Sequence, residues 1–150
     1  MEVFRIARDI YAPKLVASGR AARWNKDNQY VIYSGSSRSL ATLELAVSID
    51  AVPRSEQFKV MVISIADEES LFTDVRQSKL PAIWRTTDAY TELQSIGSEW
   101  YERKSSLVLK VPSAVIPQEY NYVINTAHPD FTGNVSLVRI ENYFWDERLF

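Results

Sequence analysis

The run of residues 58–65 constrains the fold of this chain more than any other feature of its sequence. Its eight residues are mostly apolar and rich in β-branched side chains, which is typical of a β-strand. Further strand patterns lie on both sides of it, and helical patterns alternate with them only loosely. Because a doubly wound parallel sheet requires regular alternation, the sequence predicts an α+β fold with a mixed or antiparallel sheet and flanking helices. The other predicted strands are residues 3–6, 30–34, 106–111, 120–125 and 135–140.

Two helices are predicted between these strands. Either serine of the pair 36–37 can cap a helix that runs to about Ile49, because Pro53 prevents it from continuing. Thr87 can cap a second helix over residues 88–103.

The composition removes several classes of function. The 150 residues suit one compact domain, 1–150, which can bury a substantial core. There is no cysteine and a single histidine, His128, so disulfides, thiolate nucleophiles and the usual zinc sites are excluded and no metal is expected. The net charge of −2 gives no global positive field for direct binding of nucleic acid. A charged N-terminus and the lack of any apolar run of roughly 20 residues predict a cytoplasmic protein without membrane contact.

Glu44 is the most informative single residue. In the first predicted helix, Leu40, Leu43 and Val47 have the spacing of one apolar face, and Glu44 falls inside that stripe. A carboxylate that faces a core costs free energy unless it is paired. Three interpretations of Glu44 are therefore open. The helix is more exposed to solvent than its pattern suggests, or Glu44 forms a structural pair with an arginine, or its carboxylate is held at a cleft for acid–base or cation-stabilising work.

Residues 12–28 form an irregular segment that is long for a plain connection, and long loops often carry function. Within it, the Arg-Trp-Asn triplet 23–25 combines a side chain that can bind phosphate or carboxylate with an aromatic stacking face. Arg5 lies on the first predicted strand. On composition alone both arginines are ordinary surface charges; otherwise their partner is Glu44 or a diphosphate.

Ser113 follows the end of a predicted strand, where polar side chains commonly line clefts. A serine at such a position is usually a turn or helix cap. The Gly-x-Ser-x-Gly elbow is absent and His128 is the single candidate base, so a hydrolase triad has weak support. Glycine-rich phosphate loops are absent too, which argues against Walker-type nucleotide binding.

Several short motifs follow one another along most of the chain. They are Phe4-Arg5, Ala21-Ala22-Arg23-Trp24-Asn25, Val31-Ile32-Tyr33-Ser34, Leu40-Ala41-Thr42-Leu43-Glu44, Gly97-x-x-Trp100, Val111-Pro112-Ser113-Ala114-Val115-Ile116-Pro117 and Asn121-x-x-x-Asn125-x-x-His128-Pro129. Each is weak alone, but the ordered set resembles the RES-domain family, the toxin half of bacterial Xre–RES toxin–antitoxin modules. Ala21 and Ala22 stand where that family has two glycines.

The resemblance implies a fold like that of ADP-ribosyltransferases and an activity on NAD+, which is a substrate; no prosthetic group is implied. Family members destroy NAD+ by hydrolysis or phosphorolysis, and at least one relative modifies a protein with ADP-ribose. Glu44 would stabilise the oxocarbenium-like ribose, and Ser113 would hydrogen-bond the ligand. The full implied site comprises the catalytic residues Arg5 and Arg23 (diphosphate or ribose), Tyr33 (stacking on nicotinamide), Glu44 and Ser113, with Trp24, Asn25 and Asn125 binding substrate.

The resemblance also implies a partner, an Xre-type helix-turn-helix antitoxin that covers the active site, and a homodimer within that complex is a further expectation. The C-terminal aromatic residues Phe144, Trp145 and Phe150 form a partner surface or pack on the core. Three alternatives to NAD+ degradation stay open: mono-ADP-ribosylation of a protein, an RNA-directed toxin, and a non-catalytic binding module in which Glu44 pairs with Arg23.

Overall fold

A computed structural model describes residues 1–49 and 56–149 of the chain. Within these ranges the strands form one seven-stranded mixed sheet in the order β4-β5-β6-β2-β1-β3-β7. Neighbouring strands are antiparallel except β4 and β5, which are parallel. The strands are β1 (Glu2–Arg8), β2 (Val31–Gly35), β3 (Phe58–Ile65), β4 (Phe72–Asp74), β5 (Val108–Pro112), β6 (Tyr120–Asn125) and β7 (Val135–Asn142).

Three α-helices accompany this sheet in the described part of the chain: α1 (Arg38–Ser48), α2 (Tyr90–Arg103) and the single turn α3 (Phe131–Asn134). The predicted α+β class, with a mixed sheet, is confirmed. None of the described helices is both long and apolar enough to cross a bilayer.

The start of α1 follows the prediction and the start of α2 does not. The Ser37 hydroxyl accepts a hydrogen bond from the Leu40 amide at 3.0 Å, as an N-cap should. Thr87, by contrast, lies in a 3₁₀ turn (Thr87–Ala89), and α2 begins at Tyr90 without a side-chain cap. Pro53, which was expected to end α1, lies outside the described residues.

The buried face of α1 differs from the predicted one. Leu40 is fully buried, but Val47 is 67% exposed and Leu43 only half-buried. The helix packs on the sheet through Leu40 and Ala41, with Leu45 partly buried beside Phe4 and Val62. Glu44 therefore borders the buried face rather than sitting in its middle.

Gly35 allows α1 to lie close to the sheet. A Cβ atom at this last residue of β2 would be 3.2 Å from the Ala41 amide nitrogen, tighter than side-chain contacts usually are. Because the helix lies so close to the sheet, side chains of α1 can contact side chains of the neighbouring strands.

The sheet is nearly split between β1 and β2. These strands pair at one position, Phe4 opposite Gly35, whereas β1 pairs with β3 along its whole length. The next residues of the two strands, 5–6 of β1 and 33–34 of β2, do not pair with each other. They line a cavity between the strands instead. The split thus divides the sheet into two half-sheets, β1-β3-β7 and β2-β6-β5-β4.

The C-terminal aromatic residues have different environments. The Trp145 ring stacks on Phe58 with 6.4 Å between ring centroids, so the packing interpretation holds for Trp145. Phe144 is 83% exposed, and its place in a partner surface stays a prediction. Phe150 lies outside the described residues.

An ion-pair cluster fastens α1 to the edge strand β7. Arg38 donates two hydrogen bonds of 2.8 Å to the Glu141 carboxylate, and Arg139 donates a third at 2.9 Å. The bonds from Arg38 and then Arg139 lower the pKa of Glu141 from 4.5 to about 2.

A depressed folded-state pKa stabilises the fold above the unfolded value, and this stabilisation is lost as the pH falls through the folded value. We expect Glu141→Gln to lower the melting temperature modestly at pH 7, since the pair is at the surface. The gap between the two proteins should close as the pH falls from about 4.5 to about 2. Thermal melts at a series of pH values measure this gap; a constant gap would contradict the assignment.

Candidate active site

A cavity of about 480 Å³ occupies the split between β1 and β2. Both strands, α1 and the loop before β2 contribute to its wall. Four of the five predicted catalytic residues line it: Arg5, Arg23, Tyr33 and Glu44. A second cavity, of about 450 Å³, lies between β4 and α2 and is lined by none of the predicted site residues.

Glu44 reaches this cavity from α1, and its carboxylate is held on one side. Oε1 accepts hydrogen bonds from the Ser113 hydroxyl at 2.7 Å and from Asn121 Nδ2 at 2.6 Å. Oε2 has no protein donor among the described residues. No ion pair joins Glu44 to an arginine in this part of the chain either, so the alternative of a structural pair with Arg23 is not what the structure shows. The carboxylate is fixed and keeps one oxygen for a ligand.

Ser113 is fully buried behind Glu44. Its hydroxyl donates to Glu44 and accepts from the amides of Val115 and Ile116 at 3.1 and 3.0 Å. The hydroxyl proton is therefore committed to Glu44 while the oxygen caps the turn after β5. In this structure Ser113 orients the carboxylate and does not line the cavity, and its hydrogen bond to a ligand stays a prediction.

Two arginines bring positive charge to the same cavity. Arg5 is half-buried on β1, where Nη1 donates to the Val16 carbonyl at 3.4 Å. Burial lowers the pKa of Arg5, but a guanidinium starts so far above neutrality that it stays charged. Neither Arg5 nor Arg23 forms an ion pair with a carboxylate within residues 1–49 and 56–149. Two uncompensated guanidinium groups suit an anionic ligand such as a diphosphate.

Arg23 also holds a loop in place. Its Nη1 donates to the carbonyls of Trp84 and Thr86 at 2.8 and 3.4 Å, and its guanidinium lies over the Tyr90 ring at 4.9 Å. The loop before α2 is thereby drawn to the cavity. Since Nη1 makes both contacts, Nε and Nη2 are left to meet a ligand.

Tyr33 contributes its ring to the cavity wall and its hydroxyl to the structure behind it. The hydroxyl donates to Asn25 Oδ1 at 2.7 Å and accepts from the Trp24 amide at 3.0 Å. Burial raises the pKa of Tyr33 well above its ordinary value, so the hydroxyl stays protonated and is no general base. The ring remains available for stacking.

Trp24, Asn25 and Asn125 do not line the cavity. Asn25 is buried, and Nδ2 donates to the carbonyls of Arg20 and Lys26 at 2.9 and 3.0 Å. Asn125 is buried too, with Oδ1 accepting from the Ala127 amide at 2.9 Å. In this structure the three residues hold the wall from behind, and their contact with substrate stays a prediction.

The two alanines at the family's glycine positions fit without strain. Among the described non-glycine residues, positive φ occurs at Asn28 and Lys104 and not at Ala21 or Ala22. Ala22 lines the cavity, and its carbonyl accepts from Gln94 Nε2 at 2.8 Å. No left-handed backbone is therefore needed at this part of the wall.

Asn121 and Tyr90 belong to the site but were not predicted as site residues. Asn121 has a signal in the sequence, since it is one of two asparagines in the strand Tyr120–Asn125, whose other residues are apolar or aromatic. Tyr90 has none, because its contact with Arg23 joins residues far apart in the chain.

The fold and the site define a class of protein: an α+β domain whose split sheet presents a fixed carboxylate and two arginines to one cavity, the arginines having no ion pair among the described residues. The model of the RES domain family matches residues 2–146, so the chain belongs to the RES domain family.

Curated relatives cover nearly the same length. A protein named Toxin Res from Yersinia enterocolitica is 35% identical over 85% of this chain and 82% of its own length. A Prs ADP-ribosylating toxin from Sphingobium sp. is 31% identical, over 95% and 91%. A Toxin Res from Photorhabdus laumondii is 30% identical, over 99% and 97%.

Proposed function

We propose that this chain is a toxin that cleaves the bond between nicotinamide and ribose in NAD+. The observation that carries the proposal is the Glu44 carboxylate in the cavity that holds Arg5 and Arg23. It is fixed through Oε1, and Oε2 has no donor within residues 1–49 and 56–149. The names of the relatives, toxins of the Res type and an ADP-ribosylating toxin, support it.

The chemistry of this cleavage needs the charges that the cavity offers. When the bond between ribose C1′ and the nicotinamide nitrogen breaks, its electron pair goes to the nitrogen and nicotinamide leaves neutral. Positive charge then develops on the ribose, and a carboxylate fixed in advance stabilises it. In hydrolysis, water adds to C1′ and releases one proton, which gives ADP-ribose, nicotinamide and H⁺. No metal is part of this proposal.

The other residues would bind the substrate. Arg5 and Arg23 would hold the diphosphate, and the Tyr33 ring would stack on nicotinamide. The cavity volume lies within the range of small-molecule sites.

The test is proton NMR of NAD+ incubated with purified protein, with and without phosphate. We expect release of nicotinamide, with ADP-ribose as co-product in hydrolysis and, in phosphorolysis, ADP-ribose that carries a phosphate on the same ribose carbon, C1′. Heat-unfolded protein is the control. If folded protein releases no nicotinamide, even with cell extract as a source of acceptors, and NAD+ does not shift its melting temperature, the proposal is wrong.

A second candidate is mono-ADP-ribosylation of a protein, which the name of the Sphingobium relative favours. The first step is the same, and a protein side chain then replaces water as the acceptor. NAD+ labelled in its adenylate half separates the two, because the label stays on protein only in transfer.

We further propose that an Xre-type antitoxin covers the cavity mouth in the cytoplasm, with a toxin homodimer inside the complex. Val47 and Val115 both line the cavity, and Val47 is 67% exposed. Apolar side chains exposed beside a charged cavity fit a protein cover.

A further inference from the structure

We infer that Asn121 is a positioning residue for Glu44, held in this orientation although one of its own polar atoms is left unpaired in the described part of the chain. The inference rests on the proposed function, because it assigns Asn121 to the cleavage that Glu44 would support. Neither the family resemblance nor the relatives gave this residue a role.

The position of Asn121 is rigid. It lies on β6 in the interior of the sheet, paired with Gly35 of β2 on one side and with Val111 of β5 on the other. A side chain on such a strand has little freedom to follow a moving partner. Its Nδ2 is therefore a fixed point against which the Glu44 carboxylate is set, at 2.6 Å.

The carboxylate also fixes the orientation of the amide. If the amide were turned over, Oδ1 would face Glu44 Oε1, and two acceptor oxygens at that distance repel each other. With Nδ2 towards Glu44, Oδ1 is buried and has no hydrogen-bond partner in the described part of the chain. A buried carbonyl oxygen without a partner destabilises the fold. The unpaired oxygen therefore offsets part of what the charge-assisted bond from Nδ2 to Glu44 contributes to stability, so the asparagine gains little for the fold from this arrangement.

A second donor gives Glu44 what Ser113 alone does not. One hydrogen bond leaves a carboxylate free to swing about the shared oxygen. Donors from two places, the turn after β5 and the strand β6, fix Oε1 from two directions. Oε2 is then held towards the cavity where positive charge would develop, and misplacement by about 1 Å can cost roughly 100-fold in rate.

The first test is Asn121→Leu, which removes both the donor and the unpaired oxygen. We expect a melting temperature close to that of the parent, because losing the donor and losing the unpaired oxygen act in opposite directions. We expect kcat for nicotinamide release to fall by about 100-fold and KM to change far less. Asn142→Leu on the edge strand β7 is the matched control, since Asn142 contacts Lys59 away from the cavity, and its kcat should be unchanged.

The second test is Asn121→Asp, whose pH profile separates positioning from a purely structural role. At neutral pH two carboxylates would face each other and push Glu44 away. As the pH falls, the pair takes up one proton, the hydrogen bond forms again, and activity relative to the parent should recover. Asn121→Leu should show no such recovery.

Three outcomes would overturn the inference: parent kcat in Asn121→Leu, a loss of activity that follows a loss of folded protein, or an Asn121→Asp deficit that is equal at every pH. If the parent itself releases no nicotinamide, the proposed function fails separately. Crystal structures of the parent and Asn121→Leu then decide. Glu44 ordered identically in both contradicts the inference, and Glu44 displaced only in the variant supports it.

Discussion

Glu44→Gln should lower the rate of nicotinamide release from NAD+ by about 1,000-fold while the protein stays folded. Glutamine can present its carbonyl oxygen to Ser113 and Asn121, so both hydrogen bonds that Oε1 now accepts are kept. What is lost is the negative charge at Oε2, which the proposal sets against the positive ribose. The experiment measures nicotinamide by NMR and the melting temperature of the same sample.

Glu99→Gln is the matched control for this change. Glu99 is exposed on α2 and pairs with Arg103, and it does not line the cavity. The rate of nicotinamide release by Glu99→Gln should equal that of the parent. In cells, expression of Glu44→Gln should no longer arrest growth. Undiminished release by Glu44→Gln would remove Glu44 from the mechanism, whatever the fold.

Gly97→Ala should destabilise the protein by about 3 kcal/mol, or lower its melting temperature by about 10 °C. A Cβ atom at Gly97, in the middle of α2, would lie 1.6 Å from the carbonyl oxygen of Trp24 and 2.7 Å from its carbonyl carbon. Backbone cannot yield as the end of a flexible side chain can, so the segment around Trp24 must leave α2. Because the Trp24 amide donates to the Tyr33 hydroxyl, we also expect weaker binding of NAD+.

Gly133→Ala provides the comparison for this loss. Gly133 lies in the short helix α3, and a Cβ atom there would meet nothing within 4 Å. Alanine also favours helix over glycine, so its melting temperature should not fall. Equal melting temperatures for the two variants would contradict the close packing of α2 on the segment around Trp24.

The sequence alone identifies features that depend on local pattern. The strand 58–65 matches β3 residue for residue, since its β-branched run needs no information from elsewhere in the chain. The Ser37 cap was predicted for the same reason. Glu44 was singled out because a carboxylate beside an apolar stripe is unusual, and it does line the cavity.

Features that depend on distant neighbours were missed or misjudged. The strand β4 has three residues, and its parallel pairing with β5 leaves no periodic signal. Val47 has the spacing of a core residue but is exposed, because periodicity does not say where the sheet ends beneath a helix. The partners of Ser113 and Asn121 depend on β5, β6 and α1 meeting, which no single segment encodes.

Because β1 and β2 pair at a single position, the helix α1 becomes an important connection between the two half-sheets. The helix is tied to one half-sheet by the bond from Asn121 of β6 to Glu44, and to the other by Arg38, which contacts Phe4 of β1 and Glu141 of β7. The helix thus links the two half-sheets across the gap between β1 and β2. If the two half-sheets move apart, a contact at one end of α1 must lengthen. One of these contacts is the hydrogen bond to the Glu44 carboxylate. The width of the cleft and the orientation of the Glu44 carboxylate therefore change together, and a protein bound over the cavity mouth would hold both in place.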